Sequence, residues 1–446
     1  MTSPHDSFLD SLPAGWTSDR LKDVVALRNE KTDEVSAEED YLELEDVESS
    51  TGRILNRRNT LEVESAVTLF KKGDVLFGKL RPYLEKHYQA DFDGKCTGEI
   101  LAFKPERIAS RFLRYSVGAH WFIQRCNALA YGAKMPRVSW EKQLSQFVMP
   151  LPPLPEQERI AAYLDASCAA LDAAIAAKRR QLDTLDALVE ATIFNAVAFG
   201  LRDGAERRVI GAVFLPEIPS EWRFERLKSV ASIRYGLGEP PGELDSGVQM
   251  IRATDIDAGT IRREGLLRID PEELPPERNP YLKADEIIVV RSGAYTGDSA
   301  IVPPDLEGCV AGYDMVVAVN RGSPRFVAYA LLSRYVLDGQ IFLLTLRAAQ
   351  PHLNAEELGS VRLALPPTRK EQETIADFLD AKLAEIKRIA TNIESQIATL
   401  LAYRKSLIHE CVTGQRRITE PPSPSGSGGR GADGRRVNTK VDVAEP

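Results

Sequence analysis

Leu151-Pro-Pro-Leu-Pro-Glu156-Gln157-Glu158-Arg-Ile160-Ala161-Ala-Tyr-Leu164-Asp165-Ala166 returns about 215 residues later as Leu365-Pro-Pro-Thr-Arg-Lys-Glu371-Gln372-Glu373-Thr-Ile375-Ala376-Asp-Phe-Leu379-Asp380-Ala381. A match this dense at one offset is an internal duplication. It extends outward: Trp16, Arg20, Leu21, Lys22 and Val24 recur as Trp222, Arg226, Leu227, Lys228 and Val230, and Lys134-Met-Pro136 to Ser139 has a counterpart in Gln350-Pro351 to Asn354. Residues 28 to 130 and 234 to 346 share little beyond marks such as Gly73-Asp74 against Ala284-Asp285. Each copy is a variable block followed by a similar one.

The prolines end an extended stretch, and from Glu156 to Ala198 the chain runs without proline or glycine. That predicts one helix about 65 Å long at 1.5 Å per residue. Leu164, Cys168, Leu171, Ile175, Leu182, Leu185 and Val189 are spaced by fours and threes, with Lys178 at the one missing step. This is the seam of a coiled coil. A second helix runs from Glu371 to about Val412, and Leu379, Leu383, Ile386, Ala390, Ile393, Ile397 and Leu400 repeat the seam in the same register. Two such helices can pack along each other. A helix that merely covered its own block would not need this length.

The expected fold is α+β: two mixed α/β blocks separated by two long helices that pair as an antiparallel coiled coil, a pseudo-two-fold internal repeat. The expected division is a disordered start over 1–12, a first block over 13–150 and a helix with linker over 151–206. A second block over 207–364, a second helix over 365–417 and a disordered tail over 418–446 follow. Strand-like runs appear at Asp74–Phe77, Glu99–Phe103, Glu286–Val290 and Met315–Val319, with helical stretches near Ser110–Cys126 and Arg325–Leu346.

Composition bounds function. The 446 residues are 43% hydrophobic and 27% charged, which fits a globular chain of several domains. No apolar run is expected to approach the 18 or more residues that a membrane span needs, and the polar N-terminus lacks a signal-peptide core, so a cytoplasmic protein without a membrane partner is expected. Five cysteines without Cys-x-x-Cys spacing and five scattered histidines support neither a disulfide frame nor a metal site. The string from Gly293 to Asp298 lacks the lysine of a phosphate-binding loop, and Pro240 and Pro241 interrupt the dinucleotide-like Gly236-Leu-Gly238. Neither a nucleophile elbow nor an Asn/Asp-Pro-Pro-aromatic motif occurs. The chain is expected to catalyse nothing by itself and to bind no cofactor directly.

The net charge of −8 argues mildly against nucleic acid, yet residues 30–48 alone hold ten acidic and one basic side chain. Elsewhere basic and aromatic residues gather at matched places. The first block offers Lys79, Arg81, Lys86, Lys134 and Arg137; the second offers Arg291, Tyr295, Arg347, Gln350 and His352. Such loops can contact phosphates and base edges. These ten are candidates for contacts with DNA, with an ordinary solvated surface as the competing reading.

The phrase Leu-Pro-Pro-x-x-Glu-Gln-x-x-Ile-Ala-x-x-Leu-Asp, opening a long helix after a variable domain and occurring twice, resembles the specificity subunit of type I restriction-modification systems. Gly73-Asp74-Val-Leu-Phe-Gly-Lys79-Leu-Arg81-Pro82 and Gly132-Ala-Lys-Met-Pro136-Arg-Val-Ser139 resemble that family's target recognition domains. The resemblance implies that each variable block reads one half of a split double-stranded DNA target across a gap fixed by the paired helices. It implies docking of two methyltransferase subunits and an endonuclease/translocase subunit, which bring S-adenosylmethionine, ATP and Mg. Glu156, Gln157, Ile160, Leu164, Glu371, Gln372, Ile375 and Leu379 match its repeated motif as subunit-docking or spacer residues. A coiled-coil scaffold that binds proteins is the second hypothesis, and the acidic run is its support.

Overall fold

The computed structural model describes residues 4–32, 40–58, 67–238, 241–275, 279–345 and 351–418. The chain divides into two compact units, residues 1–177 with 396–446 and residues 178–395, so each long helix gives one part of itself to each unit.

In the first unit the block is closed at its base by two strands. Thr17–Arg20 pairs antiparallel with Val148–Leu151, so the incoming and outgoing chain are zipped together just before the central helix, Leu154–Phe199. Above them lies a four-stranded antiparallel sheet in the order Val25–Leu27, Ile100–Pro105, Val75–Gly78, His87–Gln89. A second sheet orders Lys31–Thr32, Val67–Phe70, Gly94–Cys96 and Tyr41–Leu42. Helices Ser110–Gly118 and His120–Leu129 cover one face of the first sheet. Phe77, Phe103, Phe112, Phe122 and Phe147 fill the space between, because alternate residues of a strand point to one face and supply that face with its apolar side chains. Leu164 and Cys168 of the central helix and Leu407, Ile408 and Cys411 of the distal helix, Arg369–Val412, join this core.

The second unit repeats the plan. Arg223–Arg226 pairs with Arg362–Leu365, and the sheet order Ala231–Tyr235, Met315–Val319, Ile287–Val289, Ser299–Ile301 matches the first unit strand for strand. Pro324–Leu331 takes the place of Ser110–Gly118. The following helical stretch is broken into Arg334–Val336, a π turn over Leu337–Ile341 and Phe342–Thr345. Ile193, Ala196 and Val197 of the central helix and Ile375 and Leu379 of the distal helix complete the core.

Within each unit the two helices run antiparallel. In the first, Arg417 lies 3.4 Å from Glu156 and Arg404 3.1 Å from Asp172, so position falls on one helix as it rises on the other. Every residue of both predicted seams is buried or half-buried, including Leu164, Cys168, Ile175, Leu379, Ile386 and Ile393. Each long helix ends at a glycine of positive φ, Gly200 at 74° and Gly414 at 79°. That conformation closes a helix at little cost only for glycine. Trp222 packs against Gly200, and Trp16 against Gly414.

Two expectations are corrected. The start of the chain is not a tail throughout: Pro4–Ser11 forms a 3-10 helix, and Phe8 is buried with its ring 5.3 Å from that of Trp121. Phe8, with Leu9 and Leu12 packed against the same core, pins the stretch, since a ring buries a large apolar area. The central helix also contains an 18-residue window of mean hydropathy 1.5, long and apolar enough by composition to cross a membrane. Alanines and seam residues, 28% of that window buried, produce the value. Residues 419–446, expected as tail, lie outside the described residues, as do 33–39 of the acidic run.

Candidate nucleic-acid interface and block-to-helix junctions

The loop after strand Val75–Gly78 turns through Arg81, whose φ is 50°. Its backbone N–H donates to Pro136 O at 2.7 Å, and Lys79 O accepts from Val138 N at 3.1 Å. Leu80 and Tyr131 each bridge to Arg137. The two basic segments that are far apart in sequence therefore form one surface. The second unit repeats it: Leu353 N donates to Arg291 O at 2.8 Å, Gly293 N to Pro351 O at 3.3 Å, and Ser292 bridges to His352. Gly293, φ 91°, stands where the first unit has Arg81.

The side chains on these surfaces differ. Arg137 donates two hydrogen bonds to Glu99, both 3.1 Å, so its charge is neutralised locally. Lys86 is turned inward, its ammonium donating to Val47 O. Lys134 and Tyr131 are exposed, with Lys79 and Arg81 half-exposed beside them. In the second unit the Arg291 guanidinium lies between the rings of Tyr235 and Tyr313, 4.7 and 4.3 Å from their centroids. Its Nη2 is 3.0 Å from His352 Nε2. Stacking of this kind holds the planar fork in one orientation. Tyr295 is 61% exposed. Arg347 and Gln350 lie outside the described residues.

Beneath Arg291, the carboxyl of Asp314 accepts from the Arg291 backbone N–H at 3.2 Å. Burial pushes its pKa up to about 6. In the first unit, burial and the neighbouring Arg114 hold the His87 imidazole down at about 4. The acidic run is partly neutralised: Arg58 reaches Asp46 at 2.8 Å and Glu43 at 3.2 Å, and it also pairs with Glu45. Among the described residues no group of three or more His, Cys, Asp or Glu could hold a metal ion, and all five cysteines are buried and unpaired.

The repeated motif sits where block meets helix. Gln157 Oε1 accepts from Ala109 N at 2.7 Å while its Nε2 donates to Pro152 O at 2.8 Å. Gln372 does the same with Ser323 N at 2.8 Å and Pro366 O at 3.1 Å. Ala109 and Ser323 are the N-caps of the equivalent block helices. Further along, Asp165 accepts from Arg111 Nε at 2.8 Å, Arg114 Nη2 at 2.9 Å and Tyr115 Oη at 2.6 Å. Asp380 accepts from Arg325 and Tyr329. Ile160, Leu164, Ile375 and Leu379 are buried in the cores, Glu156 pairs with Arg417, and Glu371 accepts from Trp222 Nε1 at 3.3 Å. Seven of the eight motif residues are buried and Glu371 is half-buried, and their polar atoms make contacts within their own unit.

The sequence reading passed over the other half of this junction. Arg111-Phe-Leu-Arg-Tyr115 and Arg325-Phe-Val-Ala-Tyr329 repeat an Arg-Phe-x-x-Tyr pattern at nearly the same offset as the helix motif. The signal was short and lay inside blocks that otherwise match poorly.

A chain built as two copies of one mixed α/β block, each mounted on paired antiparallel helices by the same polar contacts, defines an internally duplicated, helix-mounted class. The family described as type I restriction modification DNA specificity domain matches residues 13–183 and 219–399, and the chain belongs to that family. It is 24% identical over 295 residues to the type I restriction enzyme EcoBI specificity subunit of Escherichia coli, covering 63% of this chain and 60% of that protein. Against the EcoDI specificity subunit of Escherichia coli it is 26% identical, covering 49% and 45%. The match thus spans about half the length of these two relatives. The MjaVIII specificity subunit of Methanocaldococcus jannaschii is 21% identical over 91% of this chain and 94% of its own. Two solved structures share the fold. One, from work on complex assembly and conformational transition of the type I R-M system, has a TM-score of 0.72 at 20% identity, covering 91% of this chain and 99% of its own. The HsdS subunit of Thermoanaerobacter tengcongensis has a TM-score of 0.50 at 18% identity, covering 91% and 98%.

Proposed function

We propose that this chain is the DNA sequence-specificity subunit of a type I restriction-modification complex. Each block reads one half of a bipartite double-stranded target, and the paired helices set the gap. The observation that carries this reading is the duplication of one candidate surface: a strand loop held to a later segment by matched backbone hydrogen bonds, Arg81 N to Pro136 O and Gly293 N to Pro351 O, with basic or aromatic side chains beside it in each unit. Direct readout needs differing side chains on a constant frame. The surfaces have that character, since Lys134 and Arg81 stand in one and the stacked Arg291 in the other.

The chain is not itself an enzyme in this reading. Two methyltransferase subunits and an endonuclease/translocase subunit dock on it in the cytoplasm and bring S-adenosylmethionine, ATP and Mg, while this chain binds no cofactor. Given that the motif residues are engaged within each unit, docking would use other exposed positions of the helices. Mapping methylated adenines in host DNA tests the proposal. The expected result is a split motif with a fixed gap that disappears when the gene is deleted. Purified complex should then protect that site, with an affinity that falls steeply with salt as phosphate contacts release counterions. A methylation pattern unchanged by the deletion, or protein binding that salt leaves untouched, would favour a protein scaffold instead.

A further inference from the structure

We infer that the repeated Gln-x7-Asp of the long helices, Gln157 with Asp165 and Gln372 with Asp380, is a two-point latch that fixes the orientation of each block on its helix pair. This rests on the proposed reading of split DNA sites, because it assigns to these residues the fit between block and gap.

The geometry argues for orientation rather than mere attachment. Gln157 ties the N-cap of the block helix, through Ala109 N, to the loop that precedes the central helix, through Pro152 O. Asp165 lies eight residues on, about 12 Å along the axis at 1.5 Å per residue. There it holds Arg111, Arg114 and Tyr115 of the same block helix. One attachment leaves a block free to pivot, whereas two at that separation fix the angle between the helices. The second unit holds Ser323 N and Pro366 O by Gln372, and Arg325 and Tyr329 by Asp380.

The partners of the latch are also chosen for strength. Gln157 is 1% exposed and Gln372 6%, with both ends of each amide satisfied, so removing either amide takes the acceptor from a backbone N–H, half-buried at Ala109 and buried at Ser323. Burial raises the pKa of the Tyr115 and Tyr329 hydroxyls, which keeps them protonated as donors to the aspartates. The apolar seam cannot do this work by itself, because hydrophobic contact is non-directional and permits sliding. The cores hold the block on the helices; the latch sets how it faces.

The test uses full-length chain with its methyltransferase subunits. Its probes are duplexes carrying the mapped half-sites with the gap changed by one or two base pairs. Gln157→Met with Asp165→Asn keeps side-chain volume while removing the first latch, and Gln372→Met with Asp380→Asn removes the second. Wild type should prefer the native gap strongly, and each variant should lose about tenfold of that preference, the scale of one lost polar contact. Hydrogen exchange should rise at Ala109 and the following helix in the first variant and at Ser323 in the second, each without change in the other unit. If a double variant does not fold, the single Gln→Met variants, which keep the aspartate, read the same preference. A folded variant with wild-type gap preference overturns the latch. A wild-type complex indifferent to the gap overturns the reading of split sites, and the latch's role with it.

Discussion

The two units solve one mechanical problem with different chemistry. In the first, the junction of block and helices is charged. Arg404 donates to Asp172 at 3.1 Å and to Ser50 O at 2.9 Å, Arg53 pairs with the same aspartate, and Lys405 reaches Glu85 at 3.0 Å. In the second, Val189 stands where the repeat puts Arg404, Lys387 where it puts Asp172, and Ala328 where it puts Arg114. With Val189 and Ala328 in place of two arginines, a cavity of about 440 Å³ lies there, lined by Val189, Ile193, Ala300, Ala328, Leu383 and Lys387, among others. The turn carrying Ser50 and Arg53 spans residues 48–53 between bridged Val47 and Ile54, whereas its counterpart between Ile256 and Ile261 is only 257–260. The shorter turn makes none of the contacts that Ser50 and Arg53 make with Arg404 and Asp172. A duplicated fold therefore keeps the latch and lets the surrounding packing drift, because the latch is geometrically specific and the packing is not.

The largest expected difference follows from removing a charge. Asp172→Ala leaves Arg404, 9% exposed, without its carboxylate, and should destabilise the first unit by about 3 kcal/mol. Lys387→Ala, at the matching place on an exposed surface, should change the second unit by less than about 0.5 kcal/mol. Hydrogen exchange resolved by unit measures both, and equal losses would erase the contrast.

Acid should separate the units next. His87 is held neutral, with its pKa lowered to about 4, so its contribution is complete above the ordinary histidine range near 6.5 and is lost as pH falls toward 4. Asp314 is raised to about 6, so its contribution is complete below the ordinary aspartate value near 3.8 and is lost as pH rises through 6. Each shift corresponds to about 3 kcal/mol. Comparing wild type with His87→Gln and Asp314→Asn between pH 4 and 8 should show opposite slopes removed by the two substitutions. Slopes of one sign would refute the assignment.

The smallest effect is a gain. Ala328→Leu extends an apolar side chain into the cavity and should stabilise the second unit by about 1 kcal/mol, read as a raised melting temperature. A loss would mean that the cavity walls cannot accept the extra volume.

Much of this was legible in the chain. The helix bounds, the doubled plan and the shared seam follow from periodicity, which depends only on neighbours three and four residues apart. Strands such as Met315–Val319 announce themselves by β-branched runs. The matched basic segments were also visible, and the structure brings 79–81 to 131–137 and 291–293 to 351–352. Their individual fates were not. Nothing local says that Lys86 turns inward, that Arg137 is neutralised by Glu99, or that Arg291 is stacked between two tyrosines more than 50 residues from it on one side and more than 20 on the other.

The sequence by itself determined the duplication, the long helices and the register of their seams, because each is a periodic property of contiguous residues. Only the tertiary structure decided which groups the repeated phrase touches. Gln157 and Asp165 find their partners 48 and 54 residues away, at Ala109 and Arg111, and the same distances could have pointed outward to another protein. A buried amide or carboxylate must be satisfied by whatever the fold brings within 3 Å of it. Here the fold brings the block's own helix.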